Sequence, residues 1–197
     1  MQNTCGNLSD AVQRIQRSGM EVLGGFIIGF DSDPPDIFER QFKFIQQSGI
    51  ATAMVGLLTA LPMTQLYHRL LREGRLRGAA TGNNTEAFLN FVPKLDRQSL
   101  MDGYRRLMRA LYEPPTYYRR VLTFLAHYHP RGPSLRPTWN EVGAFLRSLF
   151  VLGVLHRGRR AFWLFLAKVA LRHPRSFPRA VALAIFGFHY RMVARTL

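Results

Sequence analysis

The chain has 197 residues, 47% of them hydrophobic, and a formal net charge of +15. That is enough apolar material for one or two domains with a core and excludes a disordered chain. Its single cysteine, Cys5, excludes an internal disulfide framework and makes a reducing, cytoplasmic compartment the expectation. No secretory pattern opens the sequence, and its longest apolar runs are too short to span a bilayer, so no transmembrane helix is expected. The charge is uneven: residues 1–100 hold 10 Lys/Arg against 9 Asp/Glu, whereas 101–197 hold 17 against 3, and nearly every cation is arginine.

The first seventy-odd residues alternate helix and strand. Asn7 caps a helix with Leu8, Val12 and Ile15 on one face and Gly19 beyond its end. The strand "MEVLGGFIIGF" follows; its second half is apolar on both pleat faces, which predicts burial on both sides. Pro34 and Pro35 open "DIFERQFKFIQQSG", a helix with Phe38, Phe42 and Ile45 as its inner stripe and Gly49 at its end. A second strand, "IATAMVGLL", precedes Pro62 and a third helix, "TQLYHRLLREG". This order is right-handed βαβ material, from a doubly wound sheet or a (β/α) barrel. Two strands cannot bury both their apolar faces, so further strands are expected from elsewhere.

Residues 76–96 form a long polar connection in which strand signals vanish, and only helices follow. A helix over 97–112 starts behind Asp96 and carries Leu100, Tyr104, Leu107 and Leu111; another over 115–128 is opened by Pro114 and Pro115 and carries Tyr118, Val121, Leu122 and Leu125. "HPRGPSLRPT" (129–138) reads as a linker, and helices are expected over 139–155, 158–172 and 177–194. The fold class is therefore α/β then all-α: a partial (β/α) barrel with two parallel strands, followed by a mainly helical C-terminal domain. The expected divisions are 1–75, 76–130 and 131–197.

A glycine pair, a buried "FIIG" and an acidic turn at a strand's carboxyl end suit a β/α loop that carries a ligand, because glycine lets a ligand approach the backbone; tight packing alone would also explain them. "GFIIGFDSD", with "AVQRIQRSGMEV" before it and "LTALPMTQLYHRLLREGRL" after it, resembles the later half of the radical S-adenosylmethionine (SAM) barrel. More narrowly it resembles the cobalamin-binding radical SAM proteins related to hopanoid methylases. The resemblance implies that Gly25, Ile27 and Gly29 match a G-x-I-x-G strand bordering the SAM adenine. Asp31, Ser32 and Asp33 follow where the superfamily often shows a glutamate, and Asp31 is carried as a further candidate. Pro62 to Tyr67 matches a P-G-T-x-L-Y segment with Met63 in the glycine position. The segments "NFVPKLDRQSLMDGYRRLMRALYEPPTYYRRVLTFL" and "GVLHRGRRAFWLFLAKVALRHPRSFPRAVALAIFGFHYR" resemble the helical domain that follows the radical core, so the likeness runs from about residue 7 to 194.

The family uses an iron–sulfur cluster held by three cysteines, SAM and cobalamin; one cysteine cannot hold that cluster, so none of these cofactors is expected to be bound by this chain alone. The reading implied is the C-terminal part of a C-methyltransferase acting on an apolar substrate. Its partner would be the missing N-terminal part of the enzyme, or a separate chain that supplies it. The competing reading is a non-catalytic basic helical module that binds membrane surfaces or a protein partner. From residue 142 onward there is no acidic residue, and Arg157, Arg159 and Arg160 stand beside Trp163 among many aromatic residues. This pattern fits packing on the rest of the protein, an anionic membrane surface at the inner face of the membrane, or nucleic acid; aromatic and aliphatic bulk ranks membrane above nucleic acid. The six histidines form no metal-binding pattern in sequence: His127 and His129 are two apart at a helix end.

Overall fold

The computed structural model describes residues 7–78, 88–130 and 139–197. Cys5, most of the expected linker and the centre of the 76–96 connection lie outside the described residues. The chain begins with α1 (Leu8–Arg17), β1 (Leu23–Ile28), α2 (Ile37–Ser48), β2 (Thr52–Leu57) and α3 (Gln65–Arg72). It continues with α4 (Arg97–Tyr112), α5 (Pro114–His127), α6 (Trp139–Phe150), α7 (Arg159–Arg172) and α8 (Phe177–Thr196). The two strands pair in parallel, Gly25 opposite Met54 and Ile27 opposite Gly56. The architecture is α/β followed by all-α, as the alternation of elements implies.

Local chemistry sets most of the boundaries. The Asn7 side chain accepts from the Ser9 N–H at 3.0 Å, and the Asp96 carboxylate accepts from the Ser99 N–H at 2.7 Å, each satisfying a donor that a helix start leaves orphaned. Prolines occupy the first turn of α5. The helix expected over 139–155 changes character at its end, where Val151–Leu155 winds as a π turn before His156 leaves the helix.

Two expectations about burial are corrected. Val12 is buried in α1, but Leu8 and Ile15 are exposed and the inner position is taken by Gln16. Its amide donates to the carbonyls of Ser48 and Gly49 at 3.1 and 3.3 Å. The end of α2 leaves carbonyls without helical partners, so a polar side chain belongs there. The strand β1 is not buried on both faces. Ile28 is buried and Phe26 packs on Phe44, but Leu23, Gly25 and Ile27 are exposed, as is Met54 in β2. With two strands there is no layer to cover the second face.

The outer edge of β2 is sealed. Leu58 N–H donates to the Ile28 carbonyl, so even-numbered residues of β2 bond to β1 and odd-numbered ones point away. Those outward carbonyls meet side chains: Ala51 accepts from Arg120 (3.3 Å), Ala53 from the Tyr112 hydroxyl (2.5 Å) and Val55 from the Tyr104 hydroxyl (3.2 Å). Burial pushes the Tyr112 hydroxyl up to about 12, so it remains a donor at neutral pH. The expected stripe Leu100, Tyr104, Leu107 and Leu111 is buried throughout. In α5 the core takes Tyr117, Phe124 and Arg120 as well as Tyr118, Val121 and Leu125. The Arg120 guanidinium lies beside the Tyr112–Tyr117 ring pair, 5.3 and 5.1 Å from their centroids, which are themselves 5.7 Å apart.

Among the described residues, the 76–96 connection carries a strand-like contact that the sequence did not suggest, an antiparallel bridge between Leu76 and Phe91. Beside it the buried Asn90 amide bonds both the N–H and the carbonyl of Ala60, at 2.9 and 2.8 Å, which clips the connection to the end of β2. In the last helices, Phe162, Phe165, Leu166 and Val169 turn inward, Phe165 stacking on Tyr118 at 4.7 Å. The Tyr117 hydroxyl donates to Leu183 of α8 at 2.6 Å.

Candidate functional site

Alternation along the paired strands places Gly24, Phe26 and Ile28 on the helix side of the sheet and Gly25 and Ile27 on the open side. A groove of about 370 Å³ runs along the open face, lined by Gly25, Ile27, Met54 and Gly56 and walled by Met108 of α4 and Val193 of α8. A Cβ added to Gly25 would meet nothing within 4 Å, so the backbone there is open to whatever enters the groove. Gly29, at the carboxyl end of β1, has φ +109 and sits against Leu58 and Leu100. The structure thus gives two of the three motif residues to the groove and the third to the turn that ends the strand.

The acidic loop divides its work. Asp33, which sequence reasoning left without a role, accepts from the N–H groups of Gly29 (2.7 Å) and Phe30 (3.0 Å) and shapes the turn. Asp31 is held by Arg75 through two bonds, 2.6 and 2.9 Å, and by Arg69 at 2.9 Å. Arg75 also reaches Glu73 at 2.8 Å and the Val92 carbonyl. The hydrogen bond from Arg75 holds the Asp31 carboxyl below the usual carboxylate range. The carboxylate therefore pins α3 and the following connection to the end of β1. A depressed carboxylate adds stability that is fully present above its unfolded value, about 3.9, and is lost as pH falls through the folded value. Asp31→Asn is expected to cost about 1 kcal/mol at pH 7 after solvent screening. The gap from wild type should close as pH falls below the usual carboxylate range, through the lowered folded-state value. Urea midpoints across this range check it, and a gap that widens at low pH would contradict the assignment.

In the Pro62–Tyr67 segment, Met63 adopts φ +67, the left-handed conformation that the matching glycine would favour, with its side chain in solvent. The turn is kept with methionine in it. Thr64 then caps α3, its hydroxyl accepting from the Tyr67 N–H at 3.2 Å and donating to the Leu61 carbonyl at 2.7 Å.

At the other end of the chain, Arg157, Arg159 and Arg160 are exposed, and Trp163 is half-exposed with its indole N–H on the Gly153 carbonyl at 3.0 Å. His156 accepts from the Gly158 N–H and faces Arg191 at 3.1 Å; burial and that cation lower its pKa. Among the described residues no group of three or more His, Cys, Asp or Glu could hold a metal ion.

A parallel pair with a glycine-bearing strand, an ion-paired loop at the carboxyl ends and one edge closed by helices defines a partial α/β region joined to a helical domain. Residues 64–197 match the family described as a domain of unknown function (DUF4070), and the chain belongs to that family, the C-terminal domain of cobalamin radical SAM methylases. It is similar to an uncharacterized methyltransferase of Synechocystis sp., 31% identical over 201 residues, which cover 98% of this chain and 38% of that protein. It is similar to the hopanoid C-2 methylase of Rhodopseudomonas palustris, 30% identical over 171 residues (83% of this chain, 32% of the relative). A bacteriochlorophyllide d C-12(1)-methyltransferase of Chlorobaculum tepidum is 26% identical over 120 residues, 60% of this chain and 26% of its own. The chain thus spans well under half the length of these curated relatives. No solved structure matches it significantly.

Proposed function

We propose that the chain serves as the C-terminal portion of a cobalamin-dependent radical SAM methyltransferase acting on an apolar substrate. In this reading β1 and β2 are the last strands of the barrel, and Gly25, Ile27 and Gly29 form the strand that borders SAM. The observation that carries it is the asymmetry of the sheet. The outward carbonyls of the β2 edge are taken by Arg120, Tyr112 and Tyr104, whereas among the described residues the β1 edge has one such bond, from Gln41 to the Ile27 carbonyl at 3.1 Å, so β1, with the glycine motif, is the edge more open to further parallel strands. The partner that supplies those strands is the preceding part of the enzyme, on the same or a separate polypeptide.

The residues present fit SAM as one wall only: the open backbone at Gly25 and the apolar groove leave room for a flat ring. SAM bound there would be the source of a radical that removes hydrogen from an unactivated carbon. What this chain's own residues do is passive: Gly25 admits the ring, Ile27 and Met54 exclude water, and Asp33 keeps the strand end in shape. The iron–sulfur cluster does not fit, since one cysteine cannot replace three, and no residue of this chain is assigned to cobalamin.

The test joins this chain in frame to the cluster- and cobalamin-bearing portion of the Synechocystis relative, reconstituted anaerobically. Release of 5′-deoxyadenosine from SAM is expected, and Gly25→Val should lower it by about a hundredfold or more, because a side chain fills the ring's place while touching nothing in the fold. Unchanged SAM cleavage by Gly25→Val, at normal iron content, would overturn the assignment.

A further inference from the structure

We infer that the outer face of α7, continued by the π turn before it, docks on the headgroup region of an anionic lipid bilayer. The inner stripe of α7 is occupied by α5 and α8. Its opposite face is apolar too: Leu164 is 63% exposed and Leu171 84%, two turns apart on one side of the helix. Trp163 lies at the margin, and its bond to Gly153 ties this face to the exposed Val154 and Leu155 of the π turn. A helix that is apolar on both faces meets a second apolar phase.

Charge selects the phase. Arg159, Arg160, Lys168 and Arg172 are exposed among these apolar side chains. Ten Lys/Arg and no Asp/Glu lie between residue 142 and residue 197. Among the described residues, only Arg179 and Arg191 of those ten reach a carboxylate, on Glu21 and Glu113. Cations interleaved with leucine and a half-exposed tryptophan are the composition of an interfacial helix on anionic lipid, where guanidinium groups meet phosphates. Position agrees. α7 packs mainly on α5, α8 and the π turn, so its inner face is used within this chain and its main contacts lie away from the β1 edge where further strands can pair. No described helix is long and apolar enough to cross a membrane, so the contact would be peripheral.

The test uses the full chain with Trp139→Phe, which leaves Trp163 as the single tryptophan. It is mixed with phosphatidylcholine vesicles with and without phosphatidylglycerol. Expected are flotation with the anionic vesicles, a blue shift of Trp163 emission and loss of both at high salt. Replacing Arg157, Arg159 and Arg160 by glutamine should weaken partitioning by about a hundredfold. Leu164→Ser with Leu171→Ser, both at exposed positions that leave the fold intact, should weaken it by more than about tenfold without a change of charge. No flotation of a chain that circular dichroism shows to be helical overturns the proposal, as does equal binding to neutral vesicles. So does a dimer abolished by the serine pair, which would give the face to a second copy, or tight duplex DNA binding without vesicle binding. Neither the vesicle result nor its failure bears on SAM cleavage by the fused enzyme.

Discussion

Arg120→Met is expected to lower the unfolding free energy by about 3 kcal/mol. Arg120 is fully buried and its guanidinium bonds the Gln46 amide oxygen at 2.9 Å, the Leu111 carbonyl at 3.0 Å and the Ala51 carbonyl at 3.3 Å. Methionine leaves two buried carbonyls and the part-buried Gln46 oxygen without this donor, at about 1 kcal/mol each, and forfeits the cation–π contacts with two tyrosines. Part of the loss is offset, because among the described residues no carboxylate pairs with this buried cation and burial already lowers its pKa. Arg120→Lys keeps the charge but not the planar fork, so it should cost at least as much. Urea midpoints at unchanged slope measure both. A lysine variant within about 0.5 kcal/mol of wild type would show that the fork is not what matters.

Gly49→Ala should cost a similar amount, about 3 kcal/mol, for a different reason. Gly49 ends α2 at φ +69, and a Cβ there would lie 2.9 Å from the backbone nitrogen of Phe124 and 3.2 Å from its Cα. Backbone cannot rotate away as a side chain can, so α2 and α5 must separate, which also stretches the bond from Gln16 to the Gly49 carbonyl. Gly74 supplies the control. It has φ +65 with nothing within 4 Å, so Gly74→Ala should show the conformational penalty alone, about 1 kcal/mol. Equal thermal midpoints for the two variants would mean that the contact with α5 yields.

The elements were legible where one local rule decides them. Asn7, Asp96 and the paired prolines at 114 and 115 mark helix starts by orphaned donors, and the Leu100–Leu111 stripe follows from helical spacing alone. Gly49 was legible as a helix end, but not its approach to Phe124, 75 residues away in the chain. Arg120 and Gln16 escaped because a polar side chain reads as solvent-facing unless the carbonyls it will satisfy are known, and those belong to distant segments. Leu8 and Ile15 were misjudged for the complementary reason, since an apolar residue reads as core even when nothing packs on it. At the candidate site, the strand and the acidic turn after it follow from local pattern, while the pairing of Asp31 with Arg75 depends on a contact 44 positions along the chain.

The seal on β2 also sets a schedule. The donors to Val55, Ala53 and Ala51 are 49, 59 and 69 residues downstream of the carbonyls they cover. At a synthesis rate of about 5–20 residues per second, the growing chain leaves the β2 edge open for several seconds before α4 and α5 exist to close it. During that interval a strand of a neighbouring nascent chain can add to β2. Correct assembly of this protein thus depends on when its tyrosines are made as well as on where they finally sit.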